Sequence, residues 1–117
     1  MIARNHTKQT LIADALDMAT GFVSRMRGLL GTRPLESGRG LYIAPCKQVH
    51  SFGMGYLLDL ILLDSNHHVV DTITAFAPRR ISPRVRSACG VLELPVGTIA
   101  RSRTEAGDIV ALEKRRS

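Results

Sequence analysis

The chain has 117 residues, a formal net charge of +6 and a hydrophobic fraction of 44%. These values fit a single globular domain spanning residues 1–117. The longest apolar run, residues 56–63, is interrupted by Asp59. It is far shorter than the ~20 residues of a membrane-spanning helix, which excludes such a helix. Two cysteines, Cys46 and Cys89, are too few for a disulfide scaffold and lack C-x-x-C spacing.

The N-terminus gives an expectation about the compartment. Residues 1–10 contain no apolar core and no small-residue cleavage pattern, so we expect no secretory signal and a cytoplasmic protein. In that reducing compartment both cysteines are expected to be thiols. A bridge between Cys46 and Cys89 stays open, because both fall near the ends of predicted strands.

A strand and a helix are predicted first along the chain. Residues 8–18 alternate loosely, which is typical of a strand. Thr20 can cap a helix that Gly31 ends. The apolar residues between them recur at helical spacing, namely Phe22, Val23, Met26, Leu29 and Leu30. Residues 32–40 are rich in glycine and polar residues and predict a loop.

The middle of the chain predicts a central hairpin. Short strands are indicated at residues 41–44 and 49–52. Residues 56–63 are apolar on both faces, which is typical of a central buried strand. Turn chemistry at residues 64–66 then predicts a hairpin with a strand over residues 69–76.

The last third of the chain combines a basic loop with two strands. Residues 77–87 contain two prolines and four arginines without periodicity, which predicts an exposed basic loop. Residues 88–94 and 109–112 have strand composition, and Pro95 can open a short helical turn. About seven short strands therefore predict a mainly β fold, a small antiparallel sandwich or barrel with one covering α-helix.

Polar side chains are crowded beside the most apolar strand. A buried Asp59 would need a cation, from Arg79 or Arg80, or several hydrogen-bond donors. Glu93 lies in a similar apolar run and either faces solvent, caps a basic patch or forms a carboxylate pair with Asp59. We therefore predict a ligand-binding mouth that prefers an anion or carboxylate and is formed by His50, Ser51, Met54, Asp59, Arg79 and Arg80.

Other readings of these residues stay open. His50 is also consistent with a structural histidine. Cys46 and His50 are a candidate nucleophile and base, with Asp59 orienting the imidazole, although no nucleophile signature surrounds Cys46. The positive charge permits nucleic-acid binding, but the arginines are scattered along the chain and only 4% of residues are aromatic. Spacing typical of metal ligands is missing, so no metal or cofactor is predicted.

Several motifs, in their order and spacing, resemble the domain of unknown function 192 family over nearly the whole chain. These motifs are Arg25-x-x-Gly28-Leu29-Leu30, Val49-His50-Ser51-Phe52-Gly53-Met54, Leu58-Asp59 through Asp64, Pro78 with its arginines, Val91-Leu92-Glu93-Leu94-Pro95-x-Gly97 and Gly107-Asp108. The resemblance implies a compact β-sandwich or barrel and no established activity.

The sequence alone thus favours a non-catalytic domain that binds a small anion or carboxylate, or a protein partner. Two alternatives of other classes accompany this prediction. One is a small enzyme that uses Cys46 or His50, and the other is a basic β-domain that binds nucleic acid.

Overall fold

A computed structural model describes residues 1–19, 35–49, 55–78 and 80–114. The helix predicted between Thr20 and Gly31 lies outside these ranges. Within them, no helix is long and apolar enough to cross a membrane. The described elements are β1 (Ile2–Asn5), β2 (Thr10–Ala13), β3 (Ala15–Ala19), β4 (Arg39–Ile43), β5 (Leu58–Leu63), β6 (Val69–Phe76), β7 (Gly90–Pro95), α1 (Thr98–Ser102) and β8 (Val110–Glu113).

The strands form two open sheets, so the prediction of a mainly β, sandwich-like fold is confirmed. One sheet has five strands in the order β3-β4-β7-β5-β6, and the other has three in the order β2-β1-β8. Both sheets contribute to one apolar cluster, here called the inner core. It contains Ala3, Ile12, Ala13, Leu16, Tyr42, Ile61, Leu63, Val69, Leu92, Leu94, Ile99 and Val110.

A second apolar cluster, the outer core, involves the other face of the five-stranded sheet. It contains Val49, Tyr56, Leu58, Leu60, Leu62, Phe76, Ala88 and Val91. β5 separates the two cores, and all six of its residues are buried. Successive side chains of a strand point to opposite faces, which is why a strand buried on both faces is apolar almost throughout. The prediction of a central buried strand is confirmed.

The hairpin between β5 and β6 is confirmed as well. The two strands pair antiparallel, with Leu60 opposite Ile73. Asp64 Oδ1 accepts the backbone N–H groups of His68 and Asn66, each at 2.9 Å. These bonds, that of His68 first, hold the pKa of the Asp64 carboxyl below its usual value. The Asp64 side chain therefore stabilises the turn that its sequence predicted.

The N-terminal prediction was wrong in one respect. Residues 8–18 do not form a single strand but contribute to β2 and β3, which belong to different sheets. The chain turns between them at Asp14, where the N–H groups of Asp14 and Ala15 both donate to Gly38 O. The alternating pattern continues through this corner, so periodicity could not reveal it. β1 was not predicted, and together with the division of residues 8–18 into β2 and β3 it brings the described strands to eight. Of the seven strands predicted, the one over residues 49–52 lies mostly outside the described residues.

The expectation of a purely antiparallel sheet also needs correction. β3 and β4 pair in parallel. In addition, β6 and β7 both run antiparallel to β5 from opposite sides, so they are parallel to each other. Parallel strands require a long crossover connection. Residues 77–89 form this crossover between β6 and β7, which explains why such a long basic segment interrupts the sheet.

Gly90 offers a test of the packing between β7 and the inner core. A Cβ at this position would lie 2.5 Å from both Cε1 and Cζ of the Tyr42 ring, and that ring is buried. We expect Gly90→Ala to lower the free energy of unfolding by about 1–3 kcal/mol through overpacking. Urea denaturation would measure it. Tyr42→Leu should reduce the effect of Gly90→Ala in the double variant, and a full effect without the ring would contradict this explanation.

Candidate functional site

Asp59 is fully buried in β5, and its carboxylate is satisfied by backbone donors. Oδ1 accepts the N–H of Ala75 at 3.0 Å. Oδ2 accepts the N–H groups of Gly97 at 3.0 Å and of Ile99 at 2.9 Å. Of the two partners expected for this carboxylate, a cation or several donors, the structure therefore shows several donors.

The donors to Asp59 come from irregular backbone. Ala75 has a φ of 54° and lies where the register between β5 and β6 shifts. Gly97 has a φ of 97° and precedes α1. Backbone N–H groups at a bulge and at a helix start lack partners in a regular ladder. Asp59 supplies those partners, so it connects β5, the end of β6 and α1.

Glu93 does not share a site with Asp59. It is opposite Leu60 in the register of β5 and β7, whereas Asp59 is opposite Leu94. Leu60 belongs to the outer core and Leu94 to the inner core, so the two carboxylates point to opposite faces of the sheet. The carboxylate-pair hypothesis is wrong. Glu93 is fully buried, which also rules out the reading that it faces solvent.

Both cysteines are partly buried. Cys46 packs against the outer core, and its thiol donates to Gln48 O at 3.1 Å. The two cysteines are not joined by a disulfide, although the Cys46 N–H donates to Cys89 O. Because Asp59 faces the inner core, it cannot align a base beside Cys46, and this part of the catalytic hypothesis is wrong.

The crossover is held to the segment before His50 by a set of hydrogen bonds that we call the Ser82 clasp. Ser82 is buried, and its N–H donates to Val49 O at 2.7 Å. Its hydroxyl accepts the Val49 N–H at 2.8 Å. The Gln48 side chain donates to Ser82 O at 3.0 Å. Both backbone groups of Ser82 and its hydroxyl are thus committed to residues 48–49.

Lys47 extends the clasp to the end of the crossover. Its ammonium donates to Arg86 O at 2.7 Å and to Ala88 O at 2.8 Å, and its carbonyl accepts the Val85 N–H. Ala88 belongs to the outer core and Val85 packs against it. The crossover is therefore anchored on its apolar side, while its cationic side chains remain outside.

The predicted exposed basic loop is recognisable in the crossover. Arg80, Arg84 and Arg86 are all exposed. The sequence has no acidic residue between Asp71 and Glu93. The charged residues of the crossover itself are therefore all positive, and its exposed arginines favour anions.

The remaining members of the predicted mouth, His50, Ser51, Met54 and Arg79, lie outside the described residues. Their convergence stays a prediction. Asp59 and the crossover are not brought together, because Asp59 faces the inner core while Val85 and Ala88 pack on the outer core.

Sequence reasoning missed a buried polar network between β1 and the turn before β8. Asn5 is fully buried and donates to Asp108 Oδ2 at 2.9 Å and to Thr104 Oγ1 at 3.0 Å. Lys8 Nζ donates to the same Asp108 oxygen at 2.8 Å. Because β1 was not predicted, no pattern in the sequence marked Asn5 as a buried residue of a strand. The network fixes the β1–β2 turn against residues 104–108.

The family of the chain follows from comparison with other proteins. Residues 2–112 match the DUF192 family, described as "Uncharacterized ACR". The chain belongs to this family, and the resemblance drawn from its motifs is confirmed.

Archaeal relatives support the assignment. A UPF0127 protein of Thermococcus kodakarensis is 30% identical over 112 residues, which are 92% of this chain and 70% of the relative. A UPF0127 protein of Pyrococcus abyssi is 32% identical, covering 91% of this chain and 92% of the relative.

Two crystal structures share the fold. A protein of unknown function from Novosphingobium aromaticivorans has a TM-score of 0.78 at 19% identity and covers 95% of this chain and 83% of its own. A protein of Sinorhizobium meliloti, assigned provisionally as a transcription regulator, has a TM-score of 0.76 at 20% identity, with coverage of 94% and 89%. At these identities the likeness concerns the fold alone.

The structural role of Asp59 can be tested with Asp59→Asn. The amide places an NH₂ group where a backbone N–H requires an acceptor, so we expect a loss of about 2–4 kcal/mol in the free energy of unfolding. Urea denaturation would measure it. Asp71→Asn is the matched control in the same hairpin, because Asp71 is exposed and should change stability by less than about 0.5 kcal/mol. Equal effects of the two substitutions would refute the assignment.

The Asp108 network predicts a pH dependence. Burial raises the pKa of Asp108, but hydrogen bonds from Asn5, Lys8 and the Glu105 N–H outweigh it, and the net pKa is lowered. A lowered folded-state pKa contributes stability that is present above the unfolded-state pKa of about 3.9 and is lost as the pH falls through the folded-state pKa.

We expect Asp108→Asn to cost about 1–3 kcal/mol at neutral pH, and the difference from wild type to shrink below about pH 4. Urea denaturation over a pH series would measure both. Glu105→Gln is the control, because its carboxyl is largely exposed and contributes little. A difference between wild type and Asp108→Asn that is independent of pH would contradict the role of the charge.

Proposed function

We propose that this protein is a non-catalytic binding domain for a small anion or carboxylate, or for a protein partner that presents one. The proposed mouth is formed by His50, Ser51 and Met54 together with Arg79 and Arg80. Asp59, the sixth residue of the predicted set, lies on the other face of the sheet and supports this mouth only indirectly. It holds the bulge at Ala75, after which the chain enters the crossover.

The Ser82 clasp is the observation that supports the proposal. It joins the backbone of Val49 to that of Ser82 through two hydrogen bonds. His50 is bonded directly to Val49, and Arg80 precedes Ser82 by two residues. The clasp therefore limits how far the two halves of the mouth can separate, because consecutive Cα atoms lie only ~3.8 Å apart.

Charge and chemistry favour binding over catalysis. The exposed arginines supply planar donors that match carboxylate and phosphate oxygens. The Asp59 carboxylate, which a catalytic base would need as its orienting group, is committed to three backbone donors. We place the protein in the cytoplasm as part of this proposal, since its cysteines are thiols and thiols persist in reducing compartments.

Titration calorimetry with citrate and with inorganic phosphate tests the proposal. We expect binding of at least one probe at low ionic strength, and a loss of about 10-fold in affinity for Arg80→Gln, as for removal of one charge-assisted hydrogen bond. His50→Gln should weaken binding in the same direction.

Arg4→Gln is the matched control, because Arg4 is an exposed arginine of β1 in the other sheet. The affinity of the Arg4→Gln variant for citrate and phosphate should equal that of wild type. Equal losses of affinity for Arg4→Gln and Arg80→Gln would show that the anions respond only to the overall charge of the protein, and would overturn the proposed mouth. Failure of both anions to bind at low salt would reject small-anion recognition.

A further inference from the structure

The crossover carries Ile81, the most exposed large hydrophobic side chain in the described part of the chain. It is 59% exposed. Single exposed hydrophobic residues are common on protein surfaces, so the exposure of Ile81 carries no argument by itself. The argument depends on how the backbone beside Ile81 is held and on the charges of the same crossover.

The backbone of Ile81 is fixed on one side by the Ser82 clasp. The next residue, Ser82, is 2% exposed and hydrogen-bonded to Val49 in both directions. Adjacent side chains in extended backbone point to opposite sides. Anchoring Ser82 inward therefore directs Ile81 outward, and the aliphatic side chain cannot turn into the outer core without breaking the clasp.

The crossover that carries Ile81 is cationic. Arg80, Arg84 and Arg86 are exposed on the same crossover, and the neighbouring Lys47 is bound to its backbone. No acidic residue occurs from residue 72 to residue 92. The surface thus combines an outward aliphatic side chain with several guanidinium groups.

This combination matches a bilayer better than the other anionic partners. A small anion can pair with the arginines but leaves Ile81 in water. Binding of single-stranded nucleic acid is stabilised by aromatic side chains that stack on the bases, and isoleucine has no aromatic ring. An anionic bilayer provides phosphates for the guanidinium groups and a hydrocarbon boundary for the aliphatic side chain.

We propose that the crossover is a membrane-surface docking site, at which Ile81 inserts below the headgroups of an anionic bilayer while Arg84 and Arg86 bind lipid phosphates. This contact is peripheral and reversible. It uses residues other than the small-anion mouth, so either proposal can stand without the other.

A single-tryptophan variant gives a direct readout, because the chain contains no tryptophan. Ile81→Trp should show a blue-shifted emission when vesicles of phosphatidylcholine mixed with phosphatidylglycerol are added. Vesicles of phosphatidylcholine alone should leave the emission unchanged. Ile109→Trp is the matched control, because Ile109 is a 40% exposed isoleucine outside the crossover, and its emission should not shift.

Cosedimentation with the mixed vesicles measures affinity without the tryptophan. We expect Ile81→Ser to weaken binding about 10-fold, as for removal of one inserted aliphatic side chain. Arg84→Gln and Arg86→Gln should each weaken it about 5-fold, and added salt should weaken all binding.

Three outcomes would overturn the docking site. In the first, the protein fails to bind the mixed vesicles at low salt. In the second, binding is unaffected by Ile81→Ser, which indicates charge attraction without insertion. In the third, duplex DNA or poly-glutamate retains the protein and the vesicles do not. The citrate and phosphate titrations with Arg80→Gln are separate measurements. Rejection of the docking site would therefore not decide the small-anion proposal.

Discussion

The buried carboxylate of Asp59 is the interaction on which much of the architecture depends. A charge in the most apolar strand is costly unless it is fully hydrogen-bonded, and irregular backbone is costly unless its N–H groups find acceptors. Here the two costs offset each other, because Ala75, Gly97 and Ile99 donate to one side chain. β6 can therefore end in a bulge and α1 can begin beside β5.

The polar residues of the family motifs fall into two groups in the described part of the chain. Asp59, Gly97 and Asp108 serve the fold, since their contacts are with backbone or with the Asn5 network. The exposed arginines of the crossover contribute little to the core and give the surface its charge. Recognition of the family therefore reveals the architecture more readily than the function, because the polar residues it matches here hold the backbone.

The sequence was sufficient to predict those elements that depend on neighbouring residues alone. The alternation and turn chemistry of the β5–β6 hairpin predicted both strands and the Asp64 turn. Asp59 was expected to require a cation or several donors. Its actual donors lie 16, 38 and 40 residues away along the chain. Residue spacing and composition cannot predict contacts between residues so far apart in sequence. The corner at Asp14 was missed for a similar reason, since it depends on Gly38 O.

The sequence by itself determined a mainly β domain, a central strand buried on both faces, and a basic segment interrupted by prolines. Tertiary structure decided on which face each polar side chain lies. Asp59 and Glu93 look alike in sequence, as acids within aliphatic runs, yet the register of β5 and β7 directs them into different cores. A shift of one residue in a strand reverses every side chain, and that register is set by pairing between distant segments rather than by the residues themselves.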